Sequence, residues 1–155
     1  MPKLDLDAIA QTNATGYPSP FDAEVNGRWY RRLAPASGLT QMGASHVVLE
    51  PGSYSSQRHW HRKQDELVVM IKGEAVLIED DAETPVKAGD VMAFASGAEN
   101  GHRLHNRSER PCIYVAISAG SREADSGEYS DIDMVFDADG YARKDGTRYD
   151  AERLP

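Results

Sequence analysis

The chain has 155 residues, with 17 Lys and Arg against 25 Asp and Glu and a formal net charge of -8; this length gives one domain with a real core and excludes two ordinary ones. The acidic surplus excludes a dedicated nucleic-acid binder, which needs clustered Lys and Arg to neutralise phosphates. The single cysteine, Cys112, excludes an internal disulfide and a Cys-rich zinc fold, so a bound metal would draw on the five histidines and the carboxylates.

Met1 to Ala10 (MPKLDLDAIA) alternates apolar and acidic residues and lacks the continuous apolar core of a signal peptide. No window approaches the roughly 18 apolar residues of a membrane span. The expectation is a cytoplasmic protein with no membrane partner, in whose reducing surroundings an unpaired Cys112 is ordinary. The sequons at Asn13 and Asn106 are chance matches in that setting. Residues 1–27 hold one weak helical turn near Leu4 to Ile9 and a turn-rich loop from Gln11 to Pro20. They read as an arm that must pack on the body of the fold or on a partner.

From Arg28 the pattern changes to short runs rich in Val, Ile and aromatics, broken at Pro51-Gly52, Gly73, Asp80-Asp81, Gly89, Gly97 and Gly101. Such punctuation predicts an all-β antiparallel sandwich or barrel over residues 28–120. The predicted strands are Arg28 to Leu33, Leu39 to Leu49, Ser55 to His61, Glu66 to Lys72, Glu74 to Glu79, Val91 to Ala95, His102 to Asn106 and Cys112 to Ser118. The last, CIYVAIS, is continuously apolar, as a strand covered on both faces would be. Residues 121–155 form a polar C-terminal extension of the same domain, with Asp-rich turns at Asp137 to Gly140 and Asp145-Gly146 placed to close hairpins. An EF-hand reading of Asp137 to Gly140 fails, because the third loop acid and the closing Glu are missing.

The sharpest local signal is His59-Trp60-His61. On a strand, residues two apart share a face and stand roughly 6.6 Å apart along the backbone, so two imidazoles can converge on one ion. Arg62 to Asp65 has the length of a hairpin loop, and a carboxylate at Glu66 would then lie across from the pair and complete three ligands from one hairpin. The competing reading leaves Glu66 in solvent and both imidazoles half-exposed on a strand. His102 is a fourth candidate ligand. It shares a face with Leu104 and Asn106, whereas His105 points the other way as a surface or second-layer residue. His46 reads as a packed or hydrogen-bonded histidine.

Two stretches resemble the paired motifs of the cupin superfamily. Gly52-SYSSQR-His59-Trp-His61-RKQD-Glu66-LVVMIK-Gly73 follows the first motif with one additional residue before His59. Gly89-DVMAFAS-Gly97-AENG-His102-RLH-Asn106 follows the second, with Ala95 in place of a proline and two extra residues before His102. The 15 residues between Gly73 and Gly89 match the short spacing of compact bacterial members. The arm around Asn13 to Phe21, the SQRHWH and NGH segments and the tail YSDID followed by ARKDGT resemble a group of single-domain bacterial cupins of unassigned activity.

The resemblance implies a cupin double-stranded β-helix, or jelly-roll, barrel. It further implies a site of His59, His61, Glu66 and His102 holding a divalent metal ion (Fe, Mn, Ni or Zn) with one or two open positions. Strand alternation points Gln57 toward the same cavity, as a group that orients a ligand or the substrate. Val68 and Met70, in phase with Glu66, are expected to form an apolar lining. Tyr54, Arg58, Trp60 and Arg103 are rim or packing residues, and Arg28, Arg31 and Arg32 are solvated or dimer-facing.

Two function classes fit. One is a metal-dependent oxygenase, isomerase or lyase acting on a small oxygenated metabolite. The other is a non-catalytic binder of a sugar or other small molecule, in which the metal is structural or holds the ligand. No catalytic general base stands out. The small partner is expected to be the only ligand besides a second copy of the chain, in a homodimer whose arm and tail reach across the partner barrel and cover its edge strands.

Overall fold

The structure, a computed structural model, describes residues 3–150. Among these the chain forms β1 (Arg28–Arg32), β2 (Met42–Leu49), β3 (His59–His61), β4 (Asp65–Lys72), β5 (Glu74–Ile78), β6 (Glu83–Lys87), β7 (Val91–Phe94), β8 (Arg103–His105), β9 (Cys112–Ala119), β10 (Gly127–Tyr129), β11 (Val135–Asp137) and β12 (Gly140–Ala142). β1, β2, β9, β4 and β7 make a five-stranded antiparallel sheet, β12, β11, β10 and β3 a four-stranded one, and β6, β5 and β8 a three-stranded one. Bridges between His59 and His102 and between Tyr54 and His105 join the two smaller sheets along a seam. Facing sheets then share one core. Val47, Leu49, Met70, Met92 and Tyr114 come from the large sheet, and Ala75, Leu77, Val86 and Leu104 from the three-stranded one. This is the double-stranded β-helix expected from the sequence.

Period-two patterning decides what each strand buries. In β5, Ala75 and Leu77 are buried while Glu74 is exposed. Between β4 and β5 the chain leaves one sheet for another at Gly73, whose φ of 76° is the left-handed conformation that suits glycine. A Cβ there would also lie 3.0 Å from the Cα of Cys112, so the first motif's closing glycine is required twice over.

Several predicted boundaries move. Leu33 belongs not to β1 but to a single helical turn, Leu33–Ala36, which delays β2 to Met42. The run from Ser55 becomes strand only at His59, because the Gln57 N–H is taken by the Tyr17 hydroxyl (3.3 Å) instead of a ladder partner. β6, which the sequence reading leaves unassigned, is an edge strand. Its Pro85 and charged neighbours mask the alternation, and Val86 alone is buried. Both Asp-rich turns close hairpins. β11 pairs with β12 around Asp137–Gly140, and Ala142 bridges to Arg148 around Asp145-Gly146.

The arm and the extension meet each other within one chain. Thr12 and Tyr30 exchange two backbone hydrogen bonds (2.8 and 3.0 Å), and the Arg31 guanidinium donates to the Ile9 carbonyl, so the arm covers the chain's own β1 edge. Tyr17 and Val25 then bury against Tyr129 and Met134 of the extension, with Phe21, Phe136 and Tyr141 around them, as a second core. The arm thus packs on the body of its own chain. Among the described residues no helix is long and apolar enough to cross a membrane.

Candidate metal centre

His59 and His61 project from the same face of β3, with Trp60 buried on the other and the Arg62 guanidinium 4.6 Å over its ring. Glu66 does not sit across a hairpin from them. β3 pairs with β10, His61 opposite Gly127, whereas β4 pairs with β7 and β9, Glu66 opposite Phe94 and Ser118. Residues 62–64 are a crossing between sheets, with Asp65 already in β4, and Glu66 meets the imidazoles across the barrel interior. His102 reaches the same place from the seam, where its backbone pairs with that of His59. Its ring stacks on Phe94, 3.6 Å between centroids and 3° from parallel.

The Nε2 atoms of His59 and His61 are 3.1 Å apart, and Glu66 Oε2 lies 3.9 Å from the first and 3.5 Å from the second. Ligands held about 2.0–2.2 Å from one ion at octahedral or tetrahedral angles are about 2.9–3.5 Å apart, so these three donors have close to the spacing of a coordination shell. The tautomers agree. His59 Nδ1 faces the Gln57 carbonyl at 2.8 Å and His61 Nδ1 faces the Asp125 carboxylate at 2.5 Å, so each Nδ1 donates its proton away from the centre. Both Nε2 lone pairs then point at one another, an arrangement that a cation between them relieves. A proton is a poor candidate for that role at neutral pH: burial, with help from the other two histidines, lowers His59 to about 4. Burial would raise Glu66, but the hydrogen bond from His102 and the neighbouring His59 and His61 outweigh it and hold the carboxyl at about 2, so it is ionised. The donor set fits a divalent ion held by two neutral imidazoles and a carboxylate.

His102 stands beside these three with its Nε2 2.8 Å from Glu66 Oε2, and its Nδ1 is buried without a hydrogen-bond partner. Gln57 departs from the expectation that it faces the cavity. Its amide donates to the Phe21 carbonyl (2.9 Å) and to Glu24 (3.0 Å), and only its backbone carbonyl serves the site, through His59. The reason is the bent lead-in to β3, which breaks the alternation two residues before His59.

Asp125 was not legible in the sequence. It is 5% exposed and lies 64 residues from His61 along the chain, with no motif to mark it. Its other oxygen accepts the Lys63 N–H at 2.9 Å, which locks the carboxylate. Phe94, stacked on His102, escaped notice too, because an aromatic at an interior strand position reads as core.

The centre opens into a cavity of about 750 Å³ lined by Val68, Phe94, Ala116, Tyr17, Tyr114 and Arg28, among others. Met70 is instead part of the core, 1% exposed. His105 stacks on Tyr54 with 4.0 Å between centroids, away from the centre. His46 is half-buried on β2, with its pKa lowered by burial and by Arg31. Arg58 pairs with Asp80 and Asp131, and Arg103 pairs with Glu24 and lies over the Tyr54 ring. Arg28 is half-buried, whereas Arg32 is exposed, as expected of a solvated residue. Both line the cavity, in phase with Tyr30. Asn106, fully buried, donates to the Leu49 and Arg110 carbonyls and is structural.

The cupin domain family matches residues 45–118 of the chain. No curated protein matches it. Among solved structures, a sugar phosphate isomerase from a cupin superfamily, from Silicibacter pomeroyi DSS-3, is 40% identical over 99% of this chain and 100% of its own, with a TM-score of 0.89. A protein from Acidithiobacillus ferrooxidans ATCC 23270, proposed to be a sugar phosphate isomerase, is 22% identical over 82% of this chain and 81% of its own, with a TM-score of 0.70. The polyketide cyclase RemF from Streptomyces resistomycificus is 12% identical over 81% and 83%, with a TM-score of 0.64, and shares the fold alone.

Proposed function

The chain belongs to the cupin superfamily, and from that premise we propose that it is a metal-dependent enzyme acting on a small oxygenated metabolite, with isomerisation of a phosphorylated sugar as its reaction. The observation that carries the metal is the pair of Nε2 lone pairs converging with the Glu66 carboxylate at coordination spacing. The reaction is supported by the Silicibacter relative, which matches this chain along its whole length.

His59, His61 and Glu66 would hold the ion, with His102 as the fourth ligand or as the group that positions Glu66. When bound, a divalent ion supplies Lewis acidity toward a substrate carbonyl or hydroxyl. The remaining work falls to the chain itself. Val68, Phe94 and Ala116 form an apolar wall that excludes water from the reacting end of the ligand. The Tyr17 and Tyr114 hydroxyls are pushed up by burial, so at neutral pH they keep their protons and can donate to substrate oxygens.

The test is incubation of the metal-loaded protein with a panel of aldose and ketose phosphates, followed by NMR. An isomerised product should form, and the Glu66→Gln variant should abolish it. Binding across the panel with no chemical change would overturn the reaction and leave a protein that holds a small molecule.

A further inference from the structure

Several arginines of this acidic chain are answered by carboxylates. Arg58 meets Asp80 and Asp131, Arg103 meets Glu24, Arg107 meets Glu83, and Arg148 meets Asp137 and Asp139. Arg28 differs. It projects from edge strand β1 into the cavity, and Nη1 crosses to the Ser55 carbonyl at 3.1 Å on the segment leading to β3. Its guanidinium carbon lies 5.2 Å from the Tyr30 ring centre. Its Nε is buried without a hydrogen-bond partner, and among the described residues no carboxylate lies within 4.0 Å of it. A half-buried guanidinium needs a counter-charge to offset its lost hydration. Here the protein provides one carbonyl and one aromatic face.

The position is specific. Arg28, Tyr17, Tyr114, His59, His61 and Glu66 all line one cavity, and the two buried hydroxyls feel both Arg28 and Glu66, so the cation and the candidate metal centre look into one interior. Two further arginines, Arg32 and Arg103, line the same cavity, against Glu66 and Glu123 as its carboxylates, in a chain whose net charge is -8. The interior is therefore richer in positive charge than the molecule as a whole.

We infer that Arg28 is the anion-recognising residue of the cavity, taking the phosphoryl group of the substrate while the reacting carbons lie toward His59, His61 and Glu66. The inference rests on the reading of the ligand as a phosphorylated sugar. An arginine suits this task because it keeps its charge at every physiological pH and offers a planar set of donors that matches phosphate oxygens. The Ser55 carbonyl and the Tyr30 ring fix the guanidinium before the ligand arrives, so little rotamer freedom is lost on binding.

Calorimetric titration with inorganic phosphate, glucose 6-phosphate, glucose and acetate, on metal-free and Mn(II)-loaded protein, tests this. The wild type should bind both phosphates with or without Mn(II). Arg28→Ala should weaken both roughly 10- to 100-fold. Arg28→Lys should recover part of the loss, and Arg107→Ala should change nothing. Binding of glucose should be indifferent to Arg28. Should Arg28→Ala not fold, Arg28→Gln, which keeps a polar side chain of similar girth but removes the charge, replaces it with the same expected loss. Phosphate binding unchanged in the Arg28 variants, no phosphate binding by the wild type, or acetate bound as tightly as phosphate would each overturn the inference. Elemental analysis of the same samples separates the two readings. Arg28-dependent phosphate binding in a chain that never takes up metal would sink the proposed metal-dependent reaction and leave the anion site standing.

Discussion

At the scale of single residues, the centre is built by hydrogen bonds that decide where protons are absent. Gln57 and Asp125 accept from the Nδ1 atoms of His59 and His61, and that leaves both Nε2 atoms as donors to a cation. The two acceptors are not equivalent. A backbone carbonyl cannot be mutated away, whereas Asp125 is a side chain that also adds negative charge behind His61 and strengthens it as a ligand. Asp125→Asn should therefore weaken metal affinity by about 10- to 100-fold while the metal-free protein still folds. Competition with a chromophoric chelator measures the first, and circular dichroism of the metal-free variant checks the second. Unchanged affinity would show that His61 needs no partner.

At the scale of elements, strand alternation and turn residues were enough to place most of the barrel. Gly73 illustrates why a turn can be so legible. Its positive φ and the 3.0 Å approach to Cys112 leave no room for a side chain, so the glycine marks the sheet change in the sequence itself. Gly73→Ala should cost about 1–2 kcal/mol from the left-handed conformation alone, with the crowding against Cys112 added. Chemical denaturation reads this as a lowered midpoint at unchanged slope, and an unchanged midpoint would contradict it. Other elements were hidden for physical reasons. β6 is an edge strand with one buried residue, and its Pro85 and charged side chains look like a loop. Residues 62–64, between β3 and β4, have a hairpin's length but carry the chain from one sheet to another, which no local pattern distinguishes. His59 and His61 were legible because they are two residues apart. Asp125 was not, because it is brought to His61 by the pairing of β3 with β10, a contact between distant segments.

At the scale of the molecule, two cores divide the labour. The barrel core holds the two sheets together, and the second core, built from Tyr17, Val25, Tyr129 and Met134, fastens the arm to the extension. The extension also delivers Asp125 to the centre, so residues outside the two motifs complete the site. The acidic surplus of the chain and the arginines of its cavity are consistent with this division: charge on the outside differs from charge where a ligand would enter. The proposed reaction depends on one claim, that His59, His61 and Glu66 hold a divalent ion. Elemental analysis of protein purified without a His tag and exposed to Fe(II), Mn(II), Ni(II) and Zn(II), beside a His59→Ala and His61→Ala double variant, tests it most directly. The account predicts close to one equivalent of metal in the wild type and almost none in the double variant, and substoichiometric metal in both would contradict it.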